Sequence, residues 1–417
     1  MVSTETSRRR FAGTLFSVVA IIILLGLTWR SSQTGLGSFY ARYAAATNQI
    51  SVADAAVTLN GSNADGHYVR ATLLEPTNLP SAIREHYEAA KARPEDYALW
   101  LSLARALELN GDMRTAIAAA TQAIPLAPSY AQPHYQLGNL LLRAGETREG
   151  FAELRLAGIS EPTLMPGIVD LAWRISSGNP EFVEQVIAPA TAEDKLLLAN
   201  FFKAHQQVDA AIRMFAMSGA AGESDRRAYV GDLIAAGRFE EAAKLWKVVN
   251  SESVQYGQIR DPGFEKATDL GEPGFHWRAP KNIEGVRYAL DPETFVEGRS
   301  SLRLEFTGGA PVMSPVLSQV VLVEAEKHYE LRFSAKSESL VTGALPQILI
   351  LEASTRSILA QSVPFEATGA WREYTIPFAS GAQTKAIEIV IQRPNCDRTP
   401  CPIFGRLWLD KFALSEG

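Results

Sequence analysis

Six histidines, at positions 67, 86, 134, 205, 276 and 328, are the residues best suited to acid–base or metal chemistry. No two of them stand in an HExxH arrangement, which would turn both toward one zinc ion from one helix face. No GxSxG elbow presents a serine nucleophile. No glycine-rich loop ends in Gly-Lys-Ser/Thr to cradle a phosphate. Glycoside hydrolysis needs two carboxylates about 5–10 Å apart. A Glu-x-Asp-x-Glu strand that would place them on one sheet face is absent, and Glu324-Ala325-Glu326, the nearest approach, reads as a turn before a strand. The two cysteines, Cys396 and Cys401, lie in a loop-like stretch with no histidine nearby, too few ligands for zinc. In an oxidising compartment they close a disulfide; elsewhere they are two free thiols. These residues point to a binding protein, not an enzyme, that requires no cofactor.

The elements behind these residues fall into two patterns. In the first half Pro94, Pro128 and Pro162 are spaced by 34 residues (128 − 94 and 162 − 128), the period of a two-helix repeat. At that period Trp100 aligns with His134, Leu103 with Leu137, Leu107 with Leu141, Gly111 with Gly145, and Ala89 with Ala123 and Ala157. Large apolar residues three or four apart make one face of the first helix. Small alanines let the second helix approach it, glycine permits a left-handed turn, and proline opens the next unit. These residues, above all Trp100-Leu101-Ser102-Leu103-Ala104, Gly111-Asp112, Ala116, Ala123 and Pro128, resemble the tetratricopeptide (TPR) family over about residues 40–250. The register fades after Pro162 and returns at Ala235-Ala236-Gly237-Arg238-Phe239. The resemblance implies an all-α solenoid that binds partner proteins, with Trp100, Tyr135, Trp173 and Trp246 read as core between helices.

From about Tyr256 a period of two takes over, as in Leu302-Arg303-Leu304-Glu305-Phe306, Tyr329-Glu330-Leu331-Arg332-Phe333 and Ile387-Glu388-Ile389-Val390-Ile391. Short strands over residues 258–417 predict an all-β sandwich. The ordered series Asp261-Pro262-Gly263-Phe264-Glu265, Gly274-Phe275-His276-Trp277, Gly369-Ala370-Trp371-Arg372 and Trp408-Leu409-Asp410-Lys411-Phe412 resembles jelly-roll carbohydrate-binding modules of the four/nine-like group. That resemblance implies a structural calcium held by Glu265 and Asp410, although Lys411 stands where the family often has a second acid. It also implies glycan binding through exposed aromatics, for which Trp371, and after it Trp277 and Tyr288, are the candidates.

Residues 11–29 carry no charge and span ~28 Å as a helix, about one bilayer core. Arg8, Arg9 and Arg10 precede them, so residues 1–10 are expected inside and the bulk of the chain outside an inner membrane. The net charge is −6, which offers nucleic acid no basic surface. The expected fold class is therefore multidomain: a transmembrane helix (11–29), a TPR-like all-α solenoid (30–250) and an all-β jelly-roll sandwich (258–417). The expected function is a membrane-anchored extracytoplasmic scaffold, its repeats holding partner proteins and its sandwich docking on a polysaccharide during surface-polysaccharide assembly or export. Two alternatives stand beside it: a purely protein–protein assembly factor, and a cryptic glycan-active enzyme.

Overall fold

Large residues on one helix and alanines on the next decide how the helical half packs. In the computed structural model, which describes residues 3–266, 270–281, 283–397 and 400–417 and the side chains from residue 20 onward, the chain divides into two compact units, Met1–Ala188 and Pro189–Gly417. The first unit is helical: α1 (Ser3–Thr47), α2 (Ile50–Leu59), α3 (Ala64–Leu74), α4 (Leu79–Ala92), α5 (Tyr97–Leu109), α6 (Met113–Ala123), α7 (Ala131–Arg143), α8 (Thr147–Ser160), α9 (Met165–Ile175) and α10 (Pro180–Ile187). Successive helices pair as hairpins, α3 with α4, α5 with α6, α7 with α8 and α9 with α10. Ala89, Ala120, Ala123 and Ala157 on the second helices are fully buried, so the facing helix comes within backbone reach.

Local chemistry fixes each start and turn. Asn63, Asn78, Asp96 and Asp112 accept the backbone N–H groups of Gly66, Ser81, Ala98 and Thr115, taking up donors that the first turn leaves free. Gly111 and Gly145 sit at φ +81° and +87° between the helices of their hairpins, a conformation in which a Cβ would be strained.

The expected transmembrane helix over 11–29, and the single-pass inner-membrane localisation built on it, must be corrected. Among the described residues no helix is long and apolar enough to cross a membrane. The side chains of residues 11–19 lie outside the described part. The uncharged run that is described, residues 20–29, gives ~15 Å of helix, half a bilayer core. α1 does not stop at Trp29; it continues through Arg30, Gln33 and Arg42, buries Ala41 and Ala44 completely, and packs on α2 and α3.

The second unit joins α11 (Ala192–Ala204), α12 (Val208–Met217), α13 (Glu223–Ala235) and α14 (Phe239–Asn250) to a β-sandwich. The packing boundary therefore falls at residue 188, whereas the change from helix to strand follows Asn250. Specific contacts explain the grouping. The Arg227 guanidinium donates to Glu272 at 2.8 Å, and the Trp246 ring lies 5.9 Å from Phe275 and 4.9 Å from His276. A Cβ at Gly274 would stand 1.8 Å from the Trp246 ring, so glycine is what lets the indole seat there.

The sandwich strands are β1 (Val286–Asp291), β2 (Ser301–Gly308), β3 (Pro315–Leu322), β4 (His328–Thr342), β5 (Gln347–Glu352), β6 (Ile358–Gln361), β7 (Gly369–Ala379), β8 (Ala386–Gln392) and β9 (Ile403–Glu416). They form antiparallel sheets ordered β1-β2-β9-β4-β7 and β3-β8-β5-β6. Leu302, Leu304, Phe306, Leu331, Phe333, Ile376, Ile387, Ile389 and Ile391 meet in the core between them. Strand β8 departs from simple alternation: Glu388 and Val390, on its other face, are buried too, Val390 in a separate apolar cluster with Leu349 and Leu351.

One buried histidine gives the helical unit a pH dependence. Burial holds the His86 imidazole below its ordinary range, with Arg105 adding to the effect and the Glu75 carboxylate at 2.7 Å opposing it. The unfolded chain takes up this proton near the ordinary pKa of about 6.5. The native chain takes it up only at lower pH, so stability is lost as pH falls through that window. Thermal melts of the full chain at descending pH should show this loss, and His86→Gln should reduce it. An equal loss in the variant would contradict the assignment.

Candidate functional site

Three first helices in the first unit repeat one hydrogen bond. His67 Nε2 meets the Gly61 carbonyl at 3.1 Å, Trp100 Nε1 donates to the Pro94 carbonyl at 2.9 Å, and His134 Nε2 meets the Pro128 carbonyl at 3.1 Å. Each ring nitrogen reaches back six residues to a carbonyl that the preceding turn leaves unpaired. The two histidines have a second nitrogen to satisfy. His67 Nδ1 meets Glu85 at 2.7 Å, 18 residues on, and His134 Nδ1 meets Glu153 at 2.6 Å, 19 residues on.

Trp100 has no second nitrogen, and the positions 18 and 19 residues on are Ala118 and Ala119. With no carboxylate there, a groove of about 770 Å³ opens beside the indole. Trp100, Leu103 and Leu107 of α5 form its floor, Ile83, Tyr87 and Glu88 of α4 one wall, and Thr115, Ala118 and Gln122 of α6 the other. Trp100 and Ile83 are half-buried, while Tyr87 and Ala118 are exposed. The groove is apolar and aromatic with a charged rim from Arg84, Glu85 and Glu88, a lining that suits an amphipathic chain segment. It lies between second helices of successive hairpins. The sequence held a signal for it, because the 34-residue register sets alanine where neighbouring repeats carry glutamate.

The remaining repeat residues are structural. Ala123 and Leu137 are buried, Gly111 and Gly145 make turns, and Pro162 opens a short 3-10 turn (Pro162–Leu164) before α9. Of the aromatic residues expected in the core, Trp246 is buried, whereas Tyr135 is 44 % exposed.

In the sandwich, Trp371 is half-buried on β7, the edge strand, between the exposed Ala370 and Arg372. Trp277 is 1 % exposed, with Phe264 and Phe412 rings 5.2 Å and 4.8 Å away, so it offers no face to a sugar. Tyr288 packs beside the core and its hydroxyl donates to the Val316 carbonyl at 2.6 Å; burial pushes that hydroxyl's pKa up. Trp277 and Tyr288 line one pocket of about 200 Å³ with Phe264 and Leu302, whereas Trp371 stands on the opposite edge of that sheet, so the three do not form one surface.

Glu265 and Asp410 converge on the loop between β1 and β2. Glu265 accepts the Arg299 N–H at 2.9 Å, and the buried Asp410 accepts those of Val296 at 2.7 Å and Glu297 at 3.2 Å. Burial raises the Asp410 carboxyl, and the neighbouring Glu265 charge adds to the rise. Calcium takes six to eight oxygens. As they stand these carboxylates are directed at N–H donors, and among the described residues no group of three His, Cys, Asp or Glu side chains gathers as a metal site. Through these contacts the pair forms a latch that ties the first loop and last strand of the sandwich to residues 296–299.

A disulfide joins Cys396 to Cys401. Arg393, which sequence reading passed over, is completely buried beside it. An isolated arginine between Gln392 and Pro394 carries no signal of that burial.

No protein-family model matches the chain, and no curated protein matches it. Solved structures similar to it include a CBM4 structure at 13% identity, covering 38% of this chain and 100% of that one, with a TM-score of 0.29. A MamA crystal structure is similar at 17% identity over 32% of this chain and 78% of that one, TM-score 0.29. PilF of Pseudomonas aeruginosa is similar at 17% identity over 45% and 89%, TM-score 0.31. The structure neighbours thus include TPR proteins and a CBM4 structure; likenesses this distant carry no argument.

The latch is testable. Asp410→Ala leaves the N–H groups of Val296 and Glu297 without an acceptor and should cost about 1–3 kcal/mol in denaturant unfolding. Excess calcium or a chelator should leave the melting temperature of the wild type unchanged; a calcium-dependent rise would show an ion site in place of the latch.

Proposed function

We propose that this protein is a non-enzymatic scaffold that binds a segment of a partner protein in the groove floored by Trp100, Leu103 and Leu107. The carrying observation is the break in the repeat's own pattern: where His67 and His134 are closed off by Glu85 and Glu153, Trp100 faces alanines and an open apolar groove. A fixed indole beside small residues offers a large contact area at little entropic cost, the arrangement that anchors peptide side chains. The TPR-like hairpin array gives such a groove a rigid frame.

A second reading concerns the sandwich. Its support is Trp371, a half-buried ring on an edge strand, which could stack on a sugar face. Glycan docking and a role in polysaccharide assembly rest on that ring and on the family likeness alone. Without them the scaffold is a purely protein–protein one.

The groove is tested by selecting peptides from a random display library against the full chain and measuring their affinity for variants. Ala118→Glu places a carboxylate in the groove from an exposed position and should weaken the selected peptides at least ~10-fold, about 1.4 kcal/mol, without lowering the melting temperature. Trp371→Ala should leave them unaffected. Peptides indifferent to Ala118→Glu would overturn the groove reading, and a glycan retained by the wild type but not by Trp371→Ala would establish the second.

A further inference from the structure

Arg393 stands at the end of β8 with no solvent exposure. Its guanidinium donates to the carbonyls of Ala344 at 3.2 Å, Ala310 at 2.5 Å and Cys401 at 2.9 Å, and to Thr342 Oγ1 at 2.7 Å. Among the described residues no carboxylate pairs with it. Burial, unopposed by any counter-charge, lowers its pKa from the ordinary value. A buried charge satisfied only by dipoles is costly, and an anion placed against it would relieve that cost. One atom in reach can become such an anion: Cys401 Sγ, 3.0 Å from Nη2. Among the described residues, the other charged group lining that corner is Asp397, exposed on the loop.

The partner sulfur is differently placed. Both cysteines line a surface pocket of about 480 Å³, but it is Cys396 Sγ that abuts Gly343, whose missing side chain leaves the sulfur uncovered on that side, 3.1 Å from where a Cβ would be. Both cysteines are half-buried, so a thiol can reach the bond from solvent.

We propose that the Cys396–Cys401 bond is a thiol–disulfide exchange site with a fixed polarity. An incoming thiolate, from a small dithiol or a protein dithiol, attacks Cys396 Sγ. A new S–S bond forms there, the Cys396–Cys401 bond breaks, and its electron pair leaves on Cys401 as a thiolate held by Arg393. The second thiol of the reductant, as its thiolate, then attacks its own sulfur in the mixed disulfide and releases Cys396. The net change is two electrons and one proton to the protein, Cys401 remaining a thiolate, with the dithiol oxidised to its disulfide and its other proton released to solvent. Exchange is faster when the leaving thiol has the lower pKa, which is what the guanidinium provides. This inference does not depend on the groove in the helical unit.

Two measurements on the full chain decide it. In Cys396→Ser the remaining Cys401 thiol is titrated by thiolate absorbance. Half-ionisation at least one unit below the ordinary value of about 8.5, about an eightfold increase in thiolate at neutral pH, is expected; a value at or above 8.5 overturns the proposal. With wild-type protein, mixed disulfides formed with glutathione are trapped by acid and mapped by mass spectrometry. Glutathione on Cys396 is the expected result, and glutathione on Cys401, or shared equally between the two, overturns it even if the variant had rearranged.

Discussion

A turn between helical hairpins leaves a backbone carbonyl without a partner, and in this protein a ring nitrogen six residues on supplies one. That hydrogen bond, made by His67, Trp100 and His134, fixes the angle at which each first helix leaves the turn. The choice of ring then dictates what must stand opposite. Imidazole has a second nitrogen and draws a glutamate from the following helix; indole has none and tolerates alanine. The groove follows from this one substitution of ring type, because the space that Glu85 or Glu153 fills elsewhere is left open beside Trp100.

The sandwich follows the same rule by other means. Three buried polar groups tie distant segments together: Asp410 accepts the N–H groups of a loop over a hundred residues away in sequence, Arg393 donates to carbonyls from three segments, and Asp291 accepts from Trp408 Nε1 at 2.8 Å. Asp410 and Asp291 thereby anchor the loop after β1 to the last strand. Arg393 is the exception in kind, since its partners are dipoles and a disulfide sulfur with no compensating charge.

Much of this was legible in the sequence where the pattern is local. The 34-residue spacing of Pro94, Pro128 and Pro162 gave the hairpins, and strict alternation at Leu302, Leu304 and Phe306 gave an inward strand face. The repeat was lost beyond Pro162 because the spacing itself shrinks. Left-handed turn residues fall at Gly145, Gly178, Gln206 and Gly237, intervals of 33, 28 and 31 residues (178 − 145, 206 − 178 and 237 − 206). The third of these turns carries no glycine, and α10 has only 8 residues. An uncharged run ending at Trp29 suggested a membrane span, but hydropathy does not report where a helix ends, and α1 continues into a packed segment. Trp277 and Trp371 look alike as residues; only the strand order places one in the core and the other at an edge. Nothing local marks Arg393, whose burial depends on three segments meeting.

The central claim is that a partner segment seats beside Trp100. Amide hydrogen exchange of the full chain, with and without a peptide selected for binding, tests it most directly. The account predicts added protection in residues 83–88, 100–107 and 115–122 and little change in the sandwich. Protection confined to other helices, or to the sandwich, would contradict it.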